Sequence, residues 1–329
     1  MEFGRYCSRV VAQQRRDIRK SLVDLERPGN DTGQYRVDEW AAEQPNAEFL
    51  DVLIEEGLEA GARCLNAADD LAHAIEIQLA AGTNPLSVIS LQRSLLECAL
   101  RACYMFDPEV PPIRNILRIA AHQVELFEGT VQTIGKMGAD YPSTDQGDKR
   151  EALEGVTALY QKWGFTMHKR KPTDNYTYSV GLTNANETVP FNATDAAAKY
   201  LDYSYEWSLT SGAAHSTSWY LPSLVPGLTE PALGTFDDAA AAATLGLLNI
   251  SNAIENSLAG YFGADVSSLR SRTHLRRRAV LARAKNETVS PISVDDYHQR
   301  AMSDEWRRDS GASLGSSFVQ NPGKWIRGQ

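Results

Sequence analysis

Apolar residues recur at helical spacing along most of the chain, and the densest run lies at residues 85–108. There Val88, Ile89, Leu91, Leu95, Leu96, Cys98, Ala99, Leu100, Ala102 and Cys103, at about 100° per residue, cover roughly 200° of a helix. That arc is wider than the stripe of a surface helix, so neighbours are expected on most sides. Ser90, Arg93, Ser94, Glu97 and Arg101 form the remaining narrow polar seam.

The same periodicity predicts further helices. Residues 5–26 read as a basic amphipathic helix closed by Pro28-Gly29, and residues 30–46 as a polar, turn-rich linker. Leu53, Ile54, Leu58, Leu65, Leu71, Ile75 and Leu79 mark a long helix over 49–81, stopped by Gly82. Pro85 opens the central helix and Asp107-Pro108 ends it. Helices are also expected at 111–137, 148–165, 195–210 with Thr194 as cap, and 236–262. Tyr176, Tyr178 and Val180 alternate with polar residues, and an extended run resumes at Thr188, so residues 175–192 predict a small β-hairpin. The expected fold is all-α: a bundle of five or six core helices with one β-hairpin insertion and an extended C-terminal tail. Its expected parts are an N-terminal helix and linker (1–46), a bundle domain (47–263), and a basic helix with a mobile tail (264–329).

Composition narrows the picture. Hydrophobic residues make up 43% and charged residues 23%, ordinary values for a globular protein. The net charge of -9 argues against unassisted, non-specific binding to nucleic acid. Cys7, Cys64, Cys98 and Cys103 form no C-x-x-C pair, which suggests buried free thiols in a reducing compartment. Arg5, Arg9, Arg15 and Arg16 interrupt any apolar leader, and the longest apolar stretch, 239–250, is too short to cross a bilayer. A cytoplasmic protein without membrane contact is expected. Residues 269–285 hold seven Arg and Lys and no acid, a stretch suited to phosphates or to the acidic surface of another subunit.

No motif fixes a reaction. Arg93 and Glu97, and Glu97 and Arg101, sit at i, i+4 and can form a ladder of ion pairs. Buried, such a pair would orient an anionic ligand or a neighbouring histidine; exposed, it contributes only a few tenths of a kcal/mol. His215 lies in a Ser/Thr-rich segment with Tyr205, Trp207, Ser211, Ser216 and Trp219, and imidazole is suited to proton transfer near neutral pH. Ser211 is one turn from it, but no G-x-S-x-G setting marks a nucleophile. Asp70-x-x-His73 and His122-x-x-Glu125, with Glu55, Glu56, Glu59 and Glu76 nearby in sequence, supply half of a di-iron bundle pattern, one half in reversed order. No metal or other cofactor is expected. The expected catalytic residues are Arg93, Glu97 and His215, with Arg101, Ser211 and Tyr205 binding substrate.

The run Leu91-x-Arg93-Ser94-x-x-Glu97-x-Ala99-x-Arg101, ending at Asp107-Pro108, together with Ser211-x-x-x-His215-Ser216-Thr217, resembles a group of uncharacterised all-helical actinobacterial proteins. Some of these look related to the HEPN superfamily of helical bundles, found in toxins, phage-defence systems and RNA-processing factors. The resemblance spans roughly residues 50–260. It implies a homodimer that acts on RNA or a partner protein. HEPN ribonucleases carry an Arg followed by a His after four to six residues; the nearest match here, Arg118-Ile119-Ala120-Ala121-His122, is one residue short. Two other readings are a non-catalytic dimerisation or interaction module, and a small-molecule or metal-dependent enzyme of specialised metabolism.

Overall fold

In a computed structural model the described residues are 2–23, 31–82, 85–136, 146–171, 176–202, 207, 210 and 236–285. Their helices are α1 (Glu2–Val23), α2 (Gly33–Ala42), α3 (Ala47–Ala81), α4 (Pro85–Met105), α5 (Pro112–Lys136) and α6 (Gln146–Lys162). Strands β1 (Phe165–His168), β2 (Ser179–Leu182) and β3 (Ala185–Thr188) follow, then α7 (Ala193–Tyr200), α8 (Phe236–Phe262) and α9 (Ser267–Ala284). The architecture is an all-α bundle carrying one small antiparallel sheet. No described helix is long and apolar enough to cross a membrane.

The central helix is α4, as its wide apolar arc requires. It packs most extensively on α3 and α8, with α7 and α5 on its remaining sides. Val88, Ile89, Leu95, Leu96, Ala99, Leu100, Ala102 and Cys103 are buried, whereas Leu91 and Cys98 are half-buried. Two large apolar clusters result, beside a small one of Val10, Leu248 and Val280. One gathers α1, the C-terminal half of α3, α4, α7, α8 and α9. The other joins α2, the N-terminal half of α3, α5, α6 and the sheet, with Tyr261 of α8 at its edge. Glycines permit the closest approaches: a Cβ on Gly57 would meet Ile119 at 2.7 Å, and one on Gly33 would meet Tyr261 at the same distance.

Several boundaries differ from expectation. The predicted linker contains α2, capped by the Thr32 hydroxyl, which accepts from the Tyr35 N–H at 3.1 Å. Its buried stripe is Gly33, Val37 and Ala41, of which only the i, i+4 pair Val37 and Ala41 carries an apolar side chain, too little to register as periodicity. Helix α6 stops at Lys162 because Gly164 turns left-handed (φ 86°), and Phe165 instead opens β1. The predicted hairpin is β2–β3, with Leu182 opposite Ala185 and Thr183 left-handed in the turn (φ 52°). The sheet has a third strand, β1, pairing Phe165 with Leu182.

Helix α7 is capped by Asn192 and not by Thr194. The Asn192 Oδ1 accepts from the N–H groups of Thr194 and Asp195 at 3.1 and 3.2 Å, and Thr194 Oγ1 instead receives the Trp207 indole at 3.3 Å. The helix ends at Tyr200, short of the predicted residue 210, because Leu201 is extended. Asn192→Ala is expected to cost about 1 kcal/mol, read as a lower urea midpoint with an unchanged m-value.

Among the thiols, Cys7 and Cys103 are buried and Cys64 and Cys98 half-buried; all four are free. Burial pushes the Cys7 and Cys103 thiols up to about 12, so both are unreactive neutral groups at pH 7. The predicted C-terminal tail from residue 286 lies outside the described residues.

Candidate functional site

The polar seam of α4 continues one turn past Arg101 to Tyr104, and across from it α5 presents Arg118, His122 and Glu125 at i, i+4, i+7. The side chains between these helices, β3 and α7 form one polar layer. Its arrangement differs from the expected ladder along α4. No Arg93–Glu97 or Glu97–Arg101 ion pair forms among the described residues. Arg101 instead reaches across to Glu125 on α5 and lies 4.5 Å over the ring of Phe191. A longer reach between helices wins here because both ends are half-buried, where a charge-assisted contact is stronger than on an exposed face.

His122 stands beside that pair. Its Nδ1 is 3.4 Å from Arg101 Nη1, and a guanidinium only donates, so the ring proton belongs on Nε2. Burial, with the charges of Arg101 and Arg63 against that of Glu125, lowers His122 to about 4. It is therefore a neutral imidazole at pH 7, able to donate from Nε2 without carrying charge. Arg118, its partner in the near-match to the HEPN motif, points elsewhere. It bonds Asp107 Oδ2 at 3.1 Å and the Tyr104 carbonyl at 2.9 Å, and stacks 4.0 Å over the Tyr104 ring.

Asp107 is the hub of this second cluster, with a side chain only 2% exposed. Its Oδ2 accepts from Arg118, from Lys199 and, at 2.6 Å, from the Tyr200 hydroxyl, while Oδ1 accepts the Glu109 N–H at 2.9 Å. Burial alone would push this carboxyl up, but those donors together outweigh it and hold it below the usual carboxylate range. Glu187 on β3 takes the Tyr104 hydroxyl and Arg114, each at 2.8 Å. Lys199, Asp107, Arg118, Glu187 and Arg114 thus alternate in sign from α7 to the sheet. None of this was read from the sequence, where Asp107 served only as a helix stop. Asp107 and Lys199 are 92 positions apart, and no local spacing links them.

Arg93 is the exception in the layer. Its guanidinium lies 3.1 Å from the centre of the Trp207 ring. Its Nη1 is buried and has no hydrogen-bond partner. Desolvation lowers its pKa, against the opposing charge of Glu97 one turn away. Glu97 itself makes no hydrogen bond or ion pair among the described residues. Arg93 and Glu97 are therefore the cation and the carboxylate with capacity to spare. The other expected site residues, Tyr205, Ser211 and His215, lie outside the described residues.

Two further groups of residues singled out in the sequence have structural partners. His73 accepts from Arg15 of α1 at 2.9 Å and touches Glu76 at 3.2 Å, so it belongs to the α1–α3 contact, while Asp70 is exposed. Among the described residues no three His, Cys, Asp or Glu side chains group as a metal site. Several arginines of α9 have partners within the chain: Arg272 and Arg276 pair with Asp17, Arg270 bonds Asn256, and Arg283 pairs with Glu2. Compared with models of protein families, with curated proteins and with solved structures, the chain has no match.

Proposed function

We infer that this chain is a HEPN-like, RNA-directed helical-bundle protein of a defence or toxin-type system, cytoplasmic and homodimeric. Arg93 is its phosphate contact and Glu97 the acceptor for a ribose hydroxyl. His215 is the proton-transfer group and Arg101, Ser211 and Tyr205 line the substrate, the roles their residue chemistry suggests. One observation carries the reading. Every other described cation of the α4–α5–α7 layer is paired with a carboxylate, Arg118 included although its Nε makes no hydrogen bond, whereas Arg93 combines a buried, unsatisfied N–H with the lack of any ion pair among the described residues. Unmet donors of a desolvated guanidinium are costly unless an anion completes them. The Trp207 stack holds the group in place, so little rotamer entropy remains to be lost on binding.

The test is binding and cleavage of labelled RNA oligonucleotides by the full chain. Arg93→Ala is expected to weaken binding about 10- to 100-fold, the worth of one charge-assisted hydrogen bond. It should also reduce the salt dependence by about one phosphate contact. Glu97→Gln and His215→Ala are expected to retain binding and lose cleavage. Equal affinity and equal salt slope for wild type and Arg93→Ala would overturn the assignment.

A second reading, a non-catalytic dimerisation or interaction module, draws on a different observation. The alternating array centred on Asp107 and Arg118 balances its charges internally and ties α4, α5, α7 and the sheet in register. A stable dimer in sedimentation with no RNA binding by the wild type would favour it.

A further inference from the structure

Where α8, α9 and α1 meet, the fold encloses a carboxyl group that no cation pairs with. Glu255 of α8 is fully buried. Its Oε1 lies 2.5 Å from Thr273 Oγ1 on α9, and its Oε2 has no partner. The charged groups facing it are Arg270 and Arg276 of α9, and both are committed elsewhere. Arg270 bonds Asn256 at 2.8 Å, and Arg276 bonds Gln14 Oε1 at 2.6 Å and pairs with Asp17 of α1. Helices α2, α3 and α4 also pack on α8, and among the described residues none of them gives Glu255 a hydrogen bond or an ion pair.

The hydrogen bonds around Thr273 decide the protonation state. Its Oγ1 accepts from Gln14 Nε2 at 2.8 Å and lies 3.0 Å from the Leu269 carbonyl of its own helix. A hydroxyl has one proton and two lone pairs. Were Glu255 ionised, Thr273 would face two acceptors, the carboxylate and the Leu269 carbonyl, with a single proton to give. If Glu255 is the neutral acid, its O–H donates to Thr273 Oγ1. Thr273 then accepts from Glu255 and Gln14 and donates to Leu269, which leaves only the carbonyl oxygen Oε2 of a neutral acid, and no charge, without a partner.

We propose that Glu255 is a proton-dependent latch: as a neutral acid it pins Thr273, and with it the arginine-rich helix α9, against α8 and α1, and loss of its proton loosens α9. Burial, opposed by Thr273, Arg270 and Arg276, raises this carboxyl from its ordinary 4.5 to about 7, in agreement with the geometry. Since the docked state holds the proton more tightly, docking is strongest below the ordinary value and weakens as pH rises until it passes about 7. His274, the histidine of α9, is held below its ordinary value by burial with Arg277 and Arg270 against Asp202, so its titration falls on the acid side of neutrality.

Hydrogen–deuterium exchange of the full chain tests the latch. After correction for the intrinsic pH dependence of exchange, protection of the α9 amides is expected to fall about tenfold between pH 6 and pH 8, with the α3 and α4 amides unchanged. In Glu255→Gln, which keeps a donor but cannot ionise, that fall is expected to vanish. The infrared carboxyl band that distinguishes wild type from Glu255→Gln should disappear with a midpoint near 7. The proposal is overturned if α9 protection in the wild type does not vary with pH, or if Glu255→Gln retains the same fall. Should the variant not fold, a carboxyl shift of residue 255, read by carbon NMR on the wild type and titrating in the ordinary range, overturns it equally.

Discussion

Asp107→Ala is expected to lower the stability of the full chain by about 3–5 kcal/mol, the usual cost of removing one partner from a buried ionic cluster. The aspartate side chain is 2% exposed, and its loss leaves Arg118, itself 10% exposed, without its nearest anion. The remaining carboxylate, Glu187, is 3.9 Å from Arg118 Nε and already holds Tyr104 and Arg114. Lys199 suffers less, because at 40% exposure it can turn to water. Urea unfolding followed by circular dichroism measures the loss, and a value below about 1 kcal/mol would show that the pairs are individually replaceable. Adding Arg118→Met should recover part of it, since the uncompensated charge and not the missing pair dominates the cost. The wild type carries a matching acid signature. A carboxyl held below its ordinary value stabilises the fold above that value, and this contribution is lost as pH falls through the lower, folded one. Asp107→Ala should flatten the acid limb of the stability profile.

The second large effect is steric. A Cβ on Gly61 of α3 would lie 2.1 and 2.3 Å from Cε2 and Cζ of Phe106. Phe106 is buried and cannot retreat, because its ring is held between those of Tyr261 and Phe262, with centroids 5.2 and 5.1 Å away. Overpacking of this kind costs about 1–3 kcal/mol, with this site at the upper end, while the gain in helix propensity from Gly to Ala is at most about 1 kcal/mol. Gly61→Ala is therefore expected to lose about 2 kcal/mol, and Phe106→Leu in the same chain to relieve it. Gly129→Ala in α5 provides the control of opposite sign. No atom lies within 4 Å of that Cβ, so only the propensity term acts, and stability should rise by up to about 1 kcal/mol. If both alanines behaved alike, close approach would not be the reason for Gly61.

Helix positions were legible in the chain because their signals are local. The apolar arc of residues 88–103 specified a central helix, Gly82 adopts the left-handed stop expected of it (φ 67°), and the hairpin strands β2 and β3 fall within residues 175–192. Helix α2 and strand β1 escaped notice because one i, i+4 pair and four residues are too little pattern to stand above chance. The polar seam on α4 was also readable, as a set of positions. What those positions do was decided only by tertiary structure. Arg101 chose Glu125 over Glu97, Arg93 found Trp207 and not a carboxylate, and Asp107 gathered donors from α5 and α7. Apolar burial depends on a residue's own character and its spacing along one helix, so it is written in the sequence. An ion pair depends on which helix arrives opposite and how much water it leaves, and partners such as Glu255 and Thr273 are determined by packing alone.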